Sequence, residues 1–241
     1  MGLQDYKLLG VGSRMGRLWP TIGLAIRIVL VGLIFALVFG LPSSDYIPWL
    51  ATGWAIWGMM GSVITDTSTT FNQSKGLMLA IKIPQEAFVV KVIVREMLLL
   101  LQNSILVVGV ALLFQLKVGL QLLLVVPGFF LSAISLYGLG LILGPLVAKY
   151  KDFGPLISSI IGVMFFVLPI MWKPESIQSD LAHLILGLNP LYHYLQIVRL
   201  PLLGEVPTDI NYLLATAGAV FFLLIGLRVI KKTRNKIVYW A

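Results

Sequence analysis

Long apolar runs broken by short polar segments dominate the chain, and six of them are extended enough to cross a bilayer. A spanning helix needs about 20 mostly apolar residues, because each residue rises ~1.5 Å through a hydrocarbon core ~30 Å thick. The pattern predicts spans near residues 20–41, 47–64, 97–116, 120–147, 156–172 and 212–227. Arg27 is the one charged residue inside these windows. The fourth run is longer than a span requires and holds Pro127 and Pro145, which predicts a tilted or kinked helix. The fifth is short, so irregular geometry is expected after it.

Three further segments do not read as spans. Residues 1–17 carry Leu3, Tyr6, Leu8 and Leu9 among Lys7, Arg14 and Arg17, a mixture that suits a helix lying in the headgroup layer; a frayed leader is the plainer reading. Between the second and third spans, residues 74–83 form a short amphipathic stretch that Pro84 terminates, either a docking handle or a mere connector. Beyond the fifth span, residues 177–188 and 191–203 are apolar but too short to cross, with Asn189-Pro190 making a turn between them. Such a re-entrant pair is tolerated where it packs on protein or lines a wet cavity, which predicts a vestibule on that face.

Charge sets the expected orientation. Lys7, Arg14, Arg17, Lys75, Lys82, Lys91, Arg95, Lys149, Lys151, Arg228, Lys231, Lys232, Arg234 and Lys236 share one side, against Lys117, Lys173 and Arg199 on the other. Short loops biased in this way place both termini in the cytoplasm. The net charge of +8 is spread over these loops rather than gathered in one aromatic-interleaved patch, which removes the case for nucleic acid. With 59% hydrophobic residues and 12% charged, a single all-α membrane domain over residues 1–241 is expected. The chain has no cysteine, so it offers no disulfide or thiolate. The first residues lack the charged start, apolar core and small-residue cleavage site of a signal peptide, and nothing is expected to be removed.

Chemistry is sparse. The six windows contain no Asp, Glu, Lys or His, and His183 and His193 have no zinc-ligand spacing, so no catalytic residue and no metal site are expected. The same lack argues against ion coupling. Arg27 sits about 10 Å into the first span, within snorkelling reach of the headgroups, and with Arg14 and Arg17 it forms a candidate receiver for an anionic lipid head group. Positive-inside anchoring would place the same residues. In the second span Tyr46, Trp54 and Trp57 fall within roughly a 100° arc at ~100° per residue, with Trp49 beyond it; Phe165, Pro169 and Trp172 share a face of the fifth. Trp54, Trp57 and Phe165 are the candidate substrate path, because aromatic rings offer apolar faces to sugars. Helix packing or an interfacial belt accounts for Tyr46, Trp49 and Trp172 equally well.

Four motifs, in order, carry a family resemblance. RMGRLWP at residues 14–20 is similar to the segment leading from an interfacial helix into the first span, with Met15-Gly16 in place of Leu-Gly. The Lys82-Ile83-Pro84 triplet resembles a coupling-helix signature. YKDFGPL at residues 150–156, with LPIMW at residues 168–172, resembles the loop and end of a fifth helix, with Lys151 where an Arg is usual. NPLYHYLQIVRLPLLG at residues 189–204 is close to an Asn-Pro segment and second re-entrant helix.

Together they resemble the permease subunits of ABC-2 type polysaccharide exporters, the O-antigen exporters above all and their teichoic-acid relatives. The resemblance implies six transmembrane helices of the ABC-2 (type V) exporter fold, with an N-terminal interfacial helix, a cytoplasmic coupling helix near residues 74–84 and external re-entrant helices near residues 177–203. It implies a homodimer in the bacterial inner membrane, coupled through Lys75, Leu79, Lys82, Pro84 and Glu86 to two copies of a separate ATPase. That ATPase would bind ATP and Mg, since this chain has no GxxxxGK[ST] stretch and is expected to hold no cofactor itself. An undecaprenyl-pyrophosphate-type lipid-linked glycan is the implied cargo. Teichoic acid, a glycolipid or a drug are alternatives, as is a polytopic membrane enzyme without ATP coupling.

Overall fold

The computed structural model describes residues 2–8, 16–81, 83–176 and 178–241, which form helices and their connections with no strand among them. Five helices are long and apolar enough to span a membrane: α2 (Trp19–Phe39), α3 (Ser43–Gln73), α5 (Glu86–Leu113), α6 (Val125–Lys149) and α10 (Asp209–Trp240). A turn of 3-10 helix, Leu120–Leu124, leads into α6. The apolar helix α7 (Phe153–Val167) is shorter. The remaining pieces are α1 (Gly2–Leu8), α4 (Lys75–Ala80), α8 (Asp180–Leu188) and α9 (Pro190–Leu202).

Local signals explain the ends. α2 starts with Pro20 in its first turn, where the missing N–H costs nothing, and stops at Gly40, whose φ of 63° is cheap only for glycine. The Gly40 amide caps the carbonyls of Ala36 and Leu37. α8 gives way to α9 at Asn189, which as the residue before Pro190 is extended; its side chain accepts the Leu191 amide and so caps α9.

The centre of the bundle is α3, which packs against α2, α5, α6, α7 and α9. The tightest pair is α6 with α10. A Cβ on Gly138 would collide with the Phe222 backbone, and one on Gly226 would lie 2.5 Å from the Gly138 carbonyl oxygen. α1, α4 and the last turns of α10 gather at one end, hereafter the basic end; α8, α9 and the start of α10 form the far end. At the basic end Asp5 pairs with Lys91 at 2.9 Å and the Tyr6 hydroxyl donates to Gln102 Oε1 at 2.6 Å, which fastens α1 to α5.

Several expected boundaries move. α3 continues nine residues past the predicted end at 64 and carries Asp66, while α5 begins at Glu86 and carries Lys91, Arg95 and Glu96. The polar run after residue 64 stays helical because its hydroxyls bond back one turn: Thr65 to the Gly61 carbonyl, Thr67 to Val63 and Ser68 to Thr65. Helical charges are therefore not confined to Arg27. α7 ends at Val167 with Leu168 extended, so Pro169 and Trp172 do not share its face with Phe165. α4 is six residues long and stops at Ala80, because Ile81 is already extended; Glu86 opens α5 instead of belonging to the short helix. The two apolar segments at residues 177–203 are separate helices, turned at Asn189 as expected.

Candidate functional site

The lower part of α3 faces a gap. Between α2, α3, α5 and α7 lies an open-sided cavity of about 660 Å³. Its aromatic wall is Trp54, Trp57 and Phe165. Trp54 and Phe165 stack with centroids 5.8 Å apart and planes 25° from parallel, and Phe166 meets Phe165 edge-on at 5.2 Å. Small residues keep the space open: Gly58 and Gly162 have no side chain to fill it, and a Cβ on Gly61 would press on Ile161 at 3.2 Å.

Further along the same walls, and on α5, the lining turns polar, with Ser62 and Thr65 on α3, Ser158 on α7, and Glu96 and Asn103 on α5. The hydroxyl of Thr21 donates to Asn103 Oδ1 at 2.8 Å and accepts Gln102 Nε2 at 2.6 Å. Because Gln102 also accepts Tyr6, this chain of bonds ties α1 and α2 to the cavity wall on α5. Glu96 is buried and bonded to Arg95 at 2.8 Å, and Arg95 pairs in turn with Asp66 of α3. Arg27 stands at the edge of the cavity, exposed, with Nε on the Gly23 carbonyl at 3.2 Å. One concave surface thus presents flat apolar rings, hydroxyl and amide groups and a guanidinium at its edge. That combination suits a ligand with sugar-like faces and an anionic group.

The far end is held by a different device. Arg199 of α9 is fully buried, its Nη1 donating to the Pro169 carbonyl at 2.7 Å and its guanidinium lying 4.0 Å from the Trp49 ring centroid. Its Nε and Nη2 have no hydrogen-bond partner. Burial pulls its pKa down to about 9, offset in part by Tyr192 and Glu175, so the guanidinium stays charged at neutral pH. Tyr46 donates to the Met171 carbonyl at 2.7 Å and the Trp49 indole to that of Trp172 at 3.1 Å. Three carbonyls just past α7 are thereby clasped from α3 and α9.

The predicted site residues divide accordingly. Trp54, Trp57, Phe165 and Arg27 come together on the cavity, while Arg14, the Arg17 side chain and Lys82 lie outside the described residues. Lys75 and Leu79 are on α4, with Leu79 exposed while Leu77 and Met78 face the core. Pro84 is exposed in the turn before α5, and Glu86 is in the first turn of α5. Tyr46 and Trp49 are buried packing residues. His193 is buried as well, its ring nitrogens 2.9 Å from Asn211 Oδ1 and 2.8 Å from the Gly187 carbonyl, a packing role; among the described residues no cluster of three or more His, Cys, Asp or Glu is arranged to hold a metal. Sequence reasoning missed Glu96 and Asn103 in the cavity wall and Arg199 behind Trp49. The available signal for Arg199 was a lone guanidinium inside an apolar run bracketed by Pro190 and Pro201.

No curated protein matches the chain. The family model for ABC-2 type transporters matches residues 14–203, well over half of it and the whole stretch from the approach to α2 through α9. The chain is a multi-pass membrane protein that belongs to the ABC-2 type transporter family.

Proposed function

We propose that the chain is the permease subunit of an ATP-driven exporter of lipid-linked polysaccharide, of the O-antigen kind on an undecaprenyl-pyrophosphate-type carrier. In this reading the basic end faces the cytoplasm of a bacterial inner membrane, α7 is the fifth of six spans, and two copies of the chain work with two copies of a separate ATPase that binds ATP and Mg. The observation that carries the reading is the cavity in which the stacked Trp54–Phe165 pair and Trp57 face hydroxyl and amide groups, with Arg27 at the rim. Rings receive the C–H faces of successive sugars without fixing their order, and Arg27 with Arg14 and Arg17 receives the pyrophosphate head group. α4 suits the docking role, since it projects Leu79 outward from a buried Leu77–Met78 base.

Two variants separate the steps. Trp54→Ala with Trp57→Ala is expected to cut export of long glycans at least about tenfold while lipid-linked substrate still binds, because about 1–3 kcal/mol of ring contact is lost per site. Arg27→Gln is expected to weaken substrate recruitment instead, most at low salt and less as salt rises and screens the attraction in the wild type too. The assays are vesicle export and lipid-substrate binding, run on material co-purified with the partner ATPase. Export at the wild-type rate from the double tryptophan variant would sink the reading.

A further inference from the structure

A second cavity of about 610 Å³ opens at the far end, between the start of α3, α9 and the start of α10. It has no lining residue in common with the first cavity, although α3 borders both, and the proposed path does not use it. Its walls combine two aromatic residues, Trp49 and Tyr192, with the amide of Gln196 and the carboxylates of Asp45, Glu175 and Glu205.

Each aromatic is held. Trp49 is pinned by its indole bond to the Trp172 carbonyl and by the Arg199 guanidinium against its ring. Tyr192 accepts Gln196 Nε2 at 3.1 Å. Gln196 itself is only 4% exposed, and its Oε1 has no hydrogen-bond partner, although a buried amide oxygen ordinarily has one. Gln196 lines the cavity beside Tyr192, and a small rotation of its amide would present this unpaired acceptor to a ligand donor such as a hydroxyl or an amino group.

The charges select among ligands. Asp45, Glu175 and Glu205 face Lys173 and, behind Trp49, the buried Arg199 guanidinium that Glu175 also senses, so three carboxylates stand against two cations, of which only Lys173 is on the lining. A phosphate-bearing polymer would be repelled, and no cluster among the described residues gathers these carboxylates into a metal site. Neutral or amino-bearing sugars meet each demand: a C–H face for the Tyr192 ring, Trp49 being buried, hydroxyls for Gln196 and the carboxylates, and an ammonium for the net negative lining.

We propose that this far-end cleft is a second saccharide site, which binds neutral or amino-bearing sugar units emerging from the exporter and disfavours polyol-phosphate chains. It rests on the polysaccharide-exporter reading and narrows it, because a teichoic-type cargo would be the wrong charge for the cleft.

The cysteine-free chain permits a direct test. Val206→Cys places one thiol on the cleft rim at an exposed position outside the recognition groups. With the full-length protein in phosphatidylcholine nanodiscs, a cationic methanethiosulfonate is expected to react at least about threefold faster than an anionic one. Adding Asp45→Asn, Glu175→Gln and Glu205→Gln should erase that ratio. Millimolar dextran or chitosan oligosaccharides should slow labelling by either reagent, poly(glycerol phosphate) should not, and Gln196→Ala should remove the protection without changing the unprotected rate. Protection by poly(glycerol phosphate), or by none of the three, overturns the proposal. The parent reading is scored separately, by whether lipid-linked glycan stimulates ATP hydrolysis by the complex. Stimulation without protection removes the cleft and keeps the exporter, and protection without stimulation does the reverse.

Discussion

α2 and α3 are consecutive helices of nearly opposite character. α2 is the most apolar of the five long helices, yet only 22% of its best membrane-length stretch is buried; α3 is the least apolar, and 83% of its stretch is buried. In water the order would be reversed, because apolar surface is what folding hides. Here α2 spends Leu30, Ile34, Leu37 and Val38 on an outer face that lipid can cover, while α3 keeps its serines, threonines, glycines and tryptophans for neighbouring helices and cavities. Helices in a bilayer gain little from hiding leucine and more from close backbone approach and internal hydrogen bonds. The helix that looks weakest by hydropathy is therefore the one on which the site is built.

The sharpest way to break this contrast is to overfill a contact that a neighbour makes with the inner helix. A Cβ on Gly140 would lie 2.7 Å from Val89 Cγ1 and 2.9 Å from Thr67 Cβ, wedging α6 off both α5 and α3. Gly140→Leu is expected to cost about 3 kcal/mol in detergent unfolding. On α2, a Cβ at Gly23 finds only its own helix's Arg27 at 3.8 Å, and Gly23→Leu should stay within about 0.5 kcal/mol. Equal losses would mean that α2 is packed at Gly23 as tightly as α6 is against α3 and α5.

The contact of α3 with α9 comes next. Arg199→Ala empties a fully buried site against Trp49 and Gly53 and should lower stability by about 2–4 kcal/mol. Arg199→Met refills the volume and removes a guanidinium with two unpartnered nitrogens, so it should return to within about 1 kcal/mol of wild type. If Met is as damaging as Ala, the charge itself holds the far end together. The smallest effect belongs to Asp66→Asn, which weakens the pair with Arg95 between α3 and α5. Both partners are partly exposed, so the loss should be roughly 0.2–1 kcal/mol at low salt and fade near 1 M.

Periodicity and length were enough to locate every long helix, to put Trp54 and Trp57 on one of them and to put Phe165 on the shorter apolar helix, because large aromatics in an apolar run stand out whatever their neighbours. Which of them lined a space was not legible. Tyr46 and Trp57 fall within one predicted arc, yet Tyr46 is sealed against the Met171 carbonyl and Trp57 borders the cavity. A window of about 20 residues also hid Asp66, Arg95 and Glu96, since it ended the second span at residue 64 and opened the third at residue 97. The threonine hydroxyls that carry α3 onward act through backbone geometry, which hydropathy does not weigh. Arg199 was counted as a loop charge because its neighbours are supplied by α3 and by the turn after α7, both distant in sequence.

The three clasped carbonyls after α7 have a mechanical consequence. Of the helix itself only Gly154 and Ile157 are buried, both in its first turns at the basic end, so α7 is gripped just beyond its last residue and again at its start, and is thinly held between. A rod of 15 residues is about 22 Å long. α7 is thus a strut fixed at both ends, and a push received through the loop at Lys151 and Asp152 is carried along it to the clasp at the far end, past the cavity wall that Phe165 lines.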